Sequence, residues 1–240
     1  MPTTRTLDMP PVTSPARRRP SVMPSLALAA LAGAVVLPLS GCEAVGFMAE
    51  SYKRGSTHEV KGEYRGLEGK SFAVVVTADR MIEADHPGII DRMCAKITER
   101  LSTPTNVPTP SGFVPPTQVL RYLYDNPSWP ARPLSELGKG LGNVERLVYV
   151  ELNEYRLHDP GNPYEWDGVA SATISVLELD GATPDDFAFE KPITVKYPGK
   201  KGVDSGQLSS GAVTSALSLR LVDRLTWLLY DHREPYYPEY

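Results

Sequence analysis

The chain has 240 residues, 41% of them hydrophobic, with 25 Lys and Arg against 29 Asp and Glu and a net charge of −4. That balance argues against a nucleic-acid binder, which needs a basic stripe, and gives no electrostatic help toward anionic lipid. Its two cysteines allow at most one internal disulfide, so stability rests mainly on packing.

The first informative stretch is Leu26 to Leu39, an uncharged, apolar run of 14 residues. As a helix it spans about 21 Å, short of the roughly 30 Å hydrocarbon core of a bilayer. Arg17, Arg18 and Arg19 precede it, and the next charge is Glu43. This is the layout of a secretory leader, not of a membrane span. The run ends in Leu39-Ser40-Gly41-Cys42, which resembles the lipobox of bacterial lipoproteins: an aliphatic residue, two small ones, then the cysteine that is lipidated and becomes the new amino terminus. The resemblance implies that residues 1–41 are a signal peptide, that Cys42 carries lipid, and that the protein is exported to the cell envelope. There the anchor would hold it to a membrane facing the periplasm or cell surface. The alternative is a non-lipidated leader in which Cys42 is incidental. The arginine triplet also raises twin-arginine export, although the residues after it depart from that consensus, and the route stays open. The leader holds four Arg and one Asp, which leaves 21 basic and 28 acidic residues, a net charge near −7. The 199 residues from Cys42 onward suit one domain on a tether, or at most two small ones.

Residues 42–57 read as the lipidated terminus and tether, and residues 58–64 as an edge strand. Phe72 to Val76 is a short apolar run rich in β-branched residues, the pattern of a strand buried on both faces. Asp79 and Arg80 end it, and a helix from Gly88 to Leu101 follows. Ile90, Cys94, Ile97 and Leu101 share one face of that helix, which favours core packing over reactivity for the Cys94 thiol. Residues 103–117 hold five prolines and can form only a loop or an edge. A helix from Gln118 to Tyr124 comes next, then a second proline group. The short helix from Leu134 ends at Gly142; its GKGLG closes a helix and precedes a strand, the reverse of a phosphate loop. Three strands follow, Arg146 to Leu157, Val169 to Leu179, and one around Ile193 to Tyr197, joined by turn-rich segments as an antiparallel meander. The last helix, Gly211 to Asp231, has Ser209 or Ser210 as its cap and an apolar face wider than an ordinary stripe.

This order predicts an α+β fold, a mixed α/β sandwich with one sheet of about four or five strands and helices packed on it. The single domain runs from 58 to 232, with an aromatic tail at 233–240. KSFAVVV leading into a helix, then LSELGKGLGNVERLVYVELNEYRL, a meander and a closing helix, is similar to the amino-terminal domain of TolB and to the related domain of curli-secretion lipoproteins. Thr77-Ala78-Asp79 departs from the proline and phenylalanine of that pattern. No segment matches the hairpins of a curli pore, so what the resemblance implies is a TolB-N-terminal-like envelope assembly or binding domain without catalytic residues.

No hydrolase, protease, P-loop or EF-hand spacing occurs, and His58, His86, His158 and His232 lack metal-ligand spacing. We therefore expect no catalytic residues, no metal and no cofactor. The one enzyme-like cluster is His158, Asp159, Glu165 and Asp167, in a hairpin loop whose prolines and glycine also explain its polarity. In that loop Tyr164 and Trp166 are candidate partner contacts, or else fold back over the sheet edge; Tyr236 and Tyr237 of the tail are a second pair. The expectation is a lipid-anchored, non-enzymatic module for other envelope proteins. The alternatives are an auxiliary lipoprotein of an envelope transporter and a small periplasmic hydrolase or metal-dependent enzyme.

Overall fold

The computed structural model describes residues 56–107, 110–199 and 203–236. The leader, Cys42, the tether up to residue 55 and Tyr237 lie outside them. In chain order the elements are β1 (Thr57–Val60), β2 (Ser71–Ala78), α1 (Arg80–Asp85), α2 (Ile89–Ser102), β3 (Gly112–Phe113), α3 (Pro116–Asp125), a 3-10 turn (Trp129–Ala131) and α4 (Leu134–Gly140). Then come β4 (Arg146–Arg156), β5 (Glu165–Trp166), β6 (Gly168–Glu178), β7 (Phe187–Tyr197), β8 (Val203–Asp204), α5 (Ser210–Thr226) and β9 (His232–Pro235).

Five strands form a mixed sheet in the order β3-β2-β4-β6-β7. Strand β2 is parallel to β3 and to β4, and the β4-β6-β7 meander is antiparallel. The fold is α+β, with helices on both faces. Alternation along the strands sorts the core into two layers. Phe72, Val74 and Val76 of β2, with Val148 and Val150 of β4 and Ile174 of β6, pack under Met93, Ile97 and Leu101 of α2 and Leu217, Leu221 and Leu225 of α5. Ala73 and Val75, with Leu147 and Leu177, face the opposite way, toward Val119 of α3 and Leu137 of α4. The second face is covered mainly over β2 and β4; on β6 it shows Ser171 and Thr173, which are half-buried. The long edge strand β7 carries Pro192 at its middle, which has no backbone N–H to offer a foreign strand, and the other edge, β3, is two residues long.

Several elements differ from the sequence reading, each for a local reason. Asp79 ends β2 and also starts α1, its side chain accepting the Met81 N–H at 2.8 Å, so a helix stands where only a strand end was expected. The closing helix, capped by Ser209, stops at Thr226 instead of Asp231. The chain then turns back as β9, which pairs antiparallel with β1. Residues 58–64 therefore give no edge to the main sheet, and the boundary drawn at 232/233 falls inside a strand. The backbone of Gly62 passes so close to Tyr230 that a Cβ would lie 2.7 Å from its nitrogen, and Asp231 accepts the Gly62 N–H at 2.9 Å. The Pro-rich segment does form only the short edge β3. Gly142, at φ +97°, follows the end of α4 in the left-handed region that suits glycine as a helix stop.

A polar clamp closes the sheet at the amino-terminal ends of β2 and β4. Glu145 accepts from Lys70 at 2.8 Å and from the Ser71 N–H at 3.0 Å, and Lys70 also pairs with Asp180 at 2.7 Å. Arg146, its side chain only 8% exposed, pairs with Asp180 and donates to the carbonyls of Gly66 and Glu145, both at 2.8 Å. A buried guanidinium is tolerable because its donors are so fully used. Hydrogen bonds from Lys70 hold the carboxyls of Asp180 and Glu145 below their ordinary range, with Arg146 and the Ser71 N–H adding to this in turn. A carboxyl depressed on folding contributes stability above its unfolded pKa and loses it as pH falls through the folded value. The clamp is thus at full strength at neutral pH and weakens below about pH 4. Asp223, raised by burial beside α2, has the opposite sign. We expect the difference in urea midpoint between wild type and Lys70→Met to be larger at pH 7 than at pH 3, which equilibrium unfolding at the two values measures.

Cys94 is fully buried, its thiol donating to the Val74 carbonyl at 3.3 Å, and burial pushes its pKa up to about 11. The helical-face reading is correct, and the thiol is a core group. Iodoacetamide at pH 8 is expected to leave Cys94 unlabelled in the native chain and to label it in 6 M guanidinium, as intact mass will report.

Candidate functional site

The loop between β4 and β6 brings the enzyme-like cluster together, but as a lock. His158 Nδ1 lies 2.8 Å from the Glu165 carbonyl, and its ring stacks on Trp166 with centroids 4.3 Å apart. Arg156 gathers the loop's acceptors, reaching Asp159 at 2.5 Å, Glu154 at 2.8 Å and the His158 carbonyl at 2.9 Å. The pairing of β5 with β8 closes the loop onto the segment before α5. Glu165 accepts from Asn162 at 3.3 Å, and Asp167 is engaged through its backbone, its N–H donating to the Leu157 carbonyl and its carbonyl accepting from Arg156, so the arrangement stiffens a hairpin. Among the described residues no group of three or more His, Cys, Asp and Glu is placed to hold a metal ion.

The two aromatic candidates of this loop part company. Tyr164 is 77% exposed, whereas Trp166 is 5% exposed, its indole N–H donating to the Leu208 carbonyl at 3.1 Å. Trp166 is thus the pin of the loop and not a surface anchor; the indole found both an apolar neighbour and an acceptor, which a free tip could not offer. Tyr236 stands on a different element, its ring 4.7 Å from His58 and half exposed. The strand before it is tied to α5 by Glu234 and Arg224 at 2.8 Å and by Trp227 stacked on His232 at 4.6 Å. Tyr237, like Cys42, lies outside the described residues.

A further site, which the sequence reading missed, opens at the carboxyl ends of β2 and β4. The connection from β2 to β3 carries α2 on one face of the sheet; the connection from β3 to β4 carries α3 and α4 on the other. Neighbouring parallel strands whose crossovers leave to opposite faces part at their carboxyl ends, the usual place for a ligand crevice in such sheets. Here the crevice is a groove of 800 Å³. Its floor holds Thr77, Tyr149, Glu151 and Asn153, its wall Leu120, Leu123, Tyr124 and Trp129, and its mouth Asp79, Arg80 and Glu83. The Tyr149 ring is set by the Thr77 hydroxyl, which donates to its phenolic oxygen at 3.2 Å. Asn153, the extra residue of a bulge in β4, donates to Thr173 at 3.0 Å. The only advance signal was the odd-numbered positions of β4 turning polar past Tyr149, which marks where helical cover ends.

No protein-family model matches the chain, and no curated protein matches it in sequence. Solved structures with a similar arrangement include the lipoprotein GNA1162 from Neisseria meningitidis, at 13% identity and a TM-score of 0.42 over 63% of this chain and 94% of that one. Others are the PelC dodecamer from Paraburkholderia phytofirmans, at 10% identity and a TM-score of 0.39 over 73% and 99%, and the hypothetical protein CT253 from Chlamydia trachomatis, at 12% and 0.38 over 70% and 96%. Nothing about ligand, partner or activity follows from likenesses of this size.

Replacing Trp166 with Ala removes the pin of the loop and empties a buried site, a loss of about 3 kcal/mol; Tyr164→Ala, at an exposed tip, is expected to change stability by less than about 0.5 kcal/mol. Parallel urea titrations of the two variants check this.

Proposed function

We propose that the protein is a lipid-anchored cell-envelope lipoprotein that acts by binding and assembling other envelope proteins, without catalysing a reaction. The observation that carries this reading is the order of Leu26 to Cys42: a basic block, an apolar run too short to span a bilayer, and Leu39-Ser40-Gly41-Cys42 at its end. No helix among the described residues is long and apolar enough to cross a membrane, so the anchor in this reading is the acyl chains on Cys42. Tethering confines the domain to a thin layer beside the bilayer and raises its effective concentration for partners there. The resemblance to the TolB amino-terminal and curli-secretion domains points in the same direction. So does the loop at 157–167, where His158 holds the Glu165 carbonyl, Asp159 pairs with Arg156 and Glu165 accepts from Asn162.

Intact mass and membrane fractionation of the native chain beside Cys42→Ala test the reading. The native chain is expected to lack residues 1–41, to carry lipid and to sediment with membranes, and the variant to lose both lipid and membrane. A native chain that keeps its leader or stays in the soluble fraction overturns it.

A further inference from the structure

The groove at the carboxyl ends of β2 and β4 has an uncompensated charge. Glu83 of α1 and Glu151 of β4 line it from separate elements, both exposed, and among the described residues neither has an ion-pair partner. Asp79 adds a third carboxylate, engaged on one oxygen as the cap of α1, and Arg80 is the one cation in the lining. Three carboxylates against one guanidinium leave the groove two charges negative. Aromatic rings stand among these carboxylates, with Tyr149 in the floor and Tyr124 and Trp129 in the wall. Their faces are the negative part of each ring quadrupole, and a cation within about 6 Å of a ring centroid is held there. An anionic ligand would meet repulsion on both counts, and a purely apolar one would strip water from the carboxylates with nothing in return.

Shape narrows the occupant further. Small-molecule sites enclose most of their ligand. This groove is open, its wall residue Tyr124 is 86% exposed, and Met81 beside its mouth is 69% exposed. Exposed aromatic and methionine side chains beside a polar rim are the composition of a protein interface. The floor also continues past Asn153 onto Thr173 and the open polar face of β6, room for an extended main chain.

We propose that this groove docks a lysine- or arginine-bearing segment of a partner protein, its cation held among Tyr124, Trp129, Glu83 and Glu151. The proposal rests on the reading of the protein as a binding module and names the chemistry of the partner. The test is calorimetric titration of the full lipidated chain in detergent with a hexapeptide of alternating glycine and arginine, and with its lysine and glutamate counterparts. The two basic peptides are expected to bind and the glutamate peptide not to. Glu83→Gln combined with Glu151→Gln weakens the basic peptides about tenfold, and Tyr124→Ala about threefold, at unchanged thermal midpoints. Glu59→Gln combined with Glu99→Gln, on β1 and the second half of α2, leaves binding unchanged and shows that net charge alone is not responsible. Basic peptides that do not bind, that bind the Glu83→Gln/Glu151→Gln and wild-type chains equally, or that bind no better than the glutamate peptide overturn the proposal. Crosslinking in native membranes keeps the two readings apart. A chain that crosslinks to envelope proteins but ignores the basic peptides loses the groove assignment alone. A chain that binds them through Glu83 and Glu151 but crosslinks to nothing loses the envelope-module reading alone.

Discussion

Strand β2 has no face that can touch water, and most of the architecture answers that constraint. Phe72, Val74 and Val76 need cover on one side, Ala73 and Val75 on the other, so helices must come to both faces. A chain that leaves β2 for one face and returns to its other neighbour across the opposite face supplies that cover with two crossovers. The same manoeuvre parts the connections at the carboxyl end of the parallel strands and opens the groove there. The cover is also incomplete where it is no longer needed. Once β4 and β6 turn to Glu151, Ser171 and Thr173 on the second face, no helix lies over them, and the groove runs out onto an open sheet surface.

The polar groups hold this arrangement in place more than they drive it. Arg146 is the clearest instance: a guanidinium sunk at the foot of β4 ties the loop around Gly66 to the turn at Asp180. Its burial carries a desolvation cost, and the compensating contacts fix which strands meet at which register. Trp166 does the same for the far end of the meander, where an indole under a histidine ring gives a long hairpin loop one conformation. The strap formed by β1 and β9 is fastened to the end of α5 through His232 and Glu234, while Asp231 holds Gly62 and Arg65 of the segment after β1. The Tyr236 N–H donates to the Ser56 carbonyl at 3.3 Å, so the two ends of the described residues lie side by side.

Binding at the groove would follow from the same economy of cover. Tyr124 and Trp129 belong to the helix and turn that shield Val75 and Leu147; Trp129 packs on that layer with one side, whereas Tyr124 is left almost wholly exposed. Asp79 and Glu83 lie one turn apart on α1, and the parallel pairing of β2 with β4 brings Glu151 to them. Exposed carboxylates at a groove mouth steer a cation on approach, while the aromatic faces, half-buried at Trp129 and Tyr149, hold it.

Much of the fold was legible in the amino-acid order. The unbroken apolar run of β2, the helical face around Cys94, the proline-limited edge at β3 and the meander each follow from local periodicity and turn chemistry. The leader-like order before Cys42 is local too, since the spacing of charge, apolar length and small residues is itself the pattern. What required the folded chain was long-range. Asp79 could be read as a strand end or as a helix cap, and the cap prevailed because a helix could pack at that corner. The closing helix was drawn five residues too long because Leu228 and Leu229 keep the apolar pattern after the chain has turned. For Trp166 a surface contact and a ring folded back on the domain were both open, and Leu208, more than forty residues away, supplied the acceptor that decides for the second. The sequence by itself determined most of the elements and their apolar faces, because those depend on neighbours in the chain. Only the tertiary structure decided which aromatics are buried and which carboxylates share a groove, because that depends on strand pairing between residues some seventy positions apart.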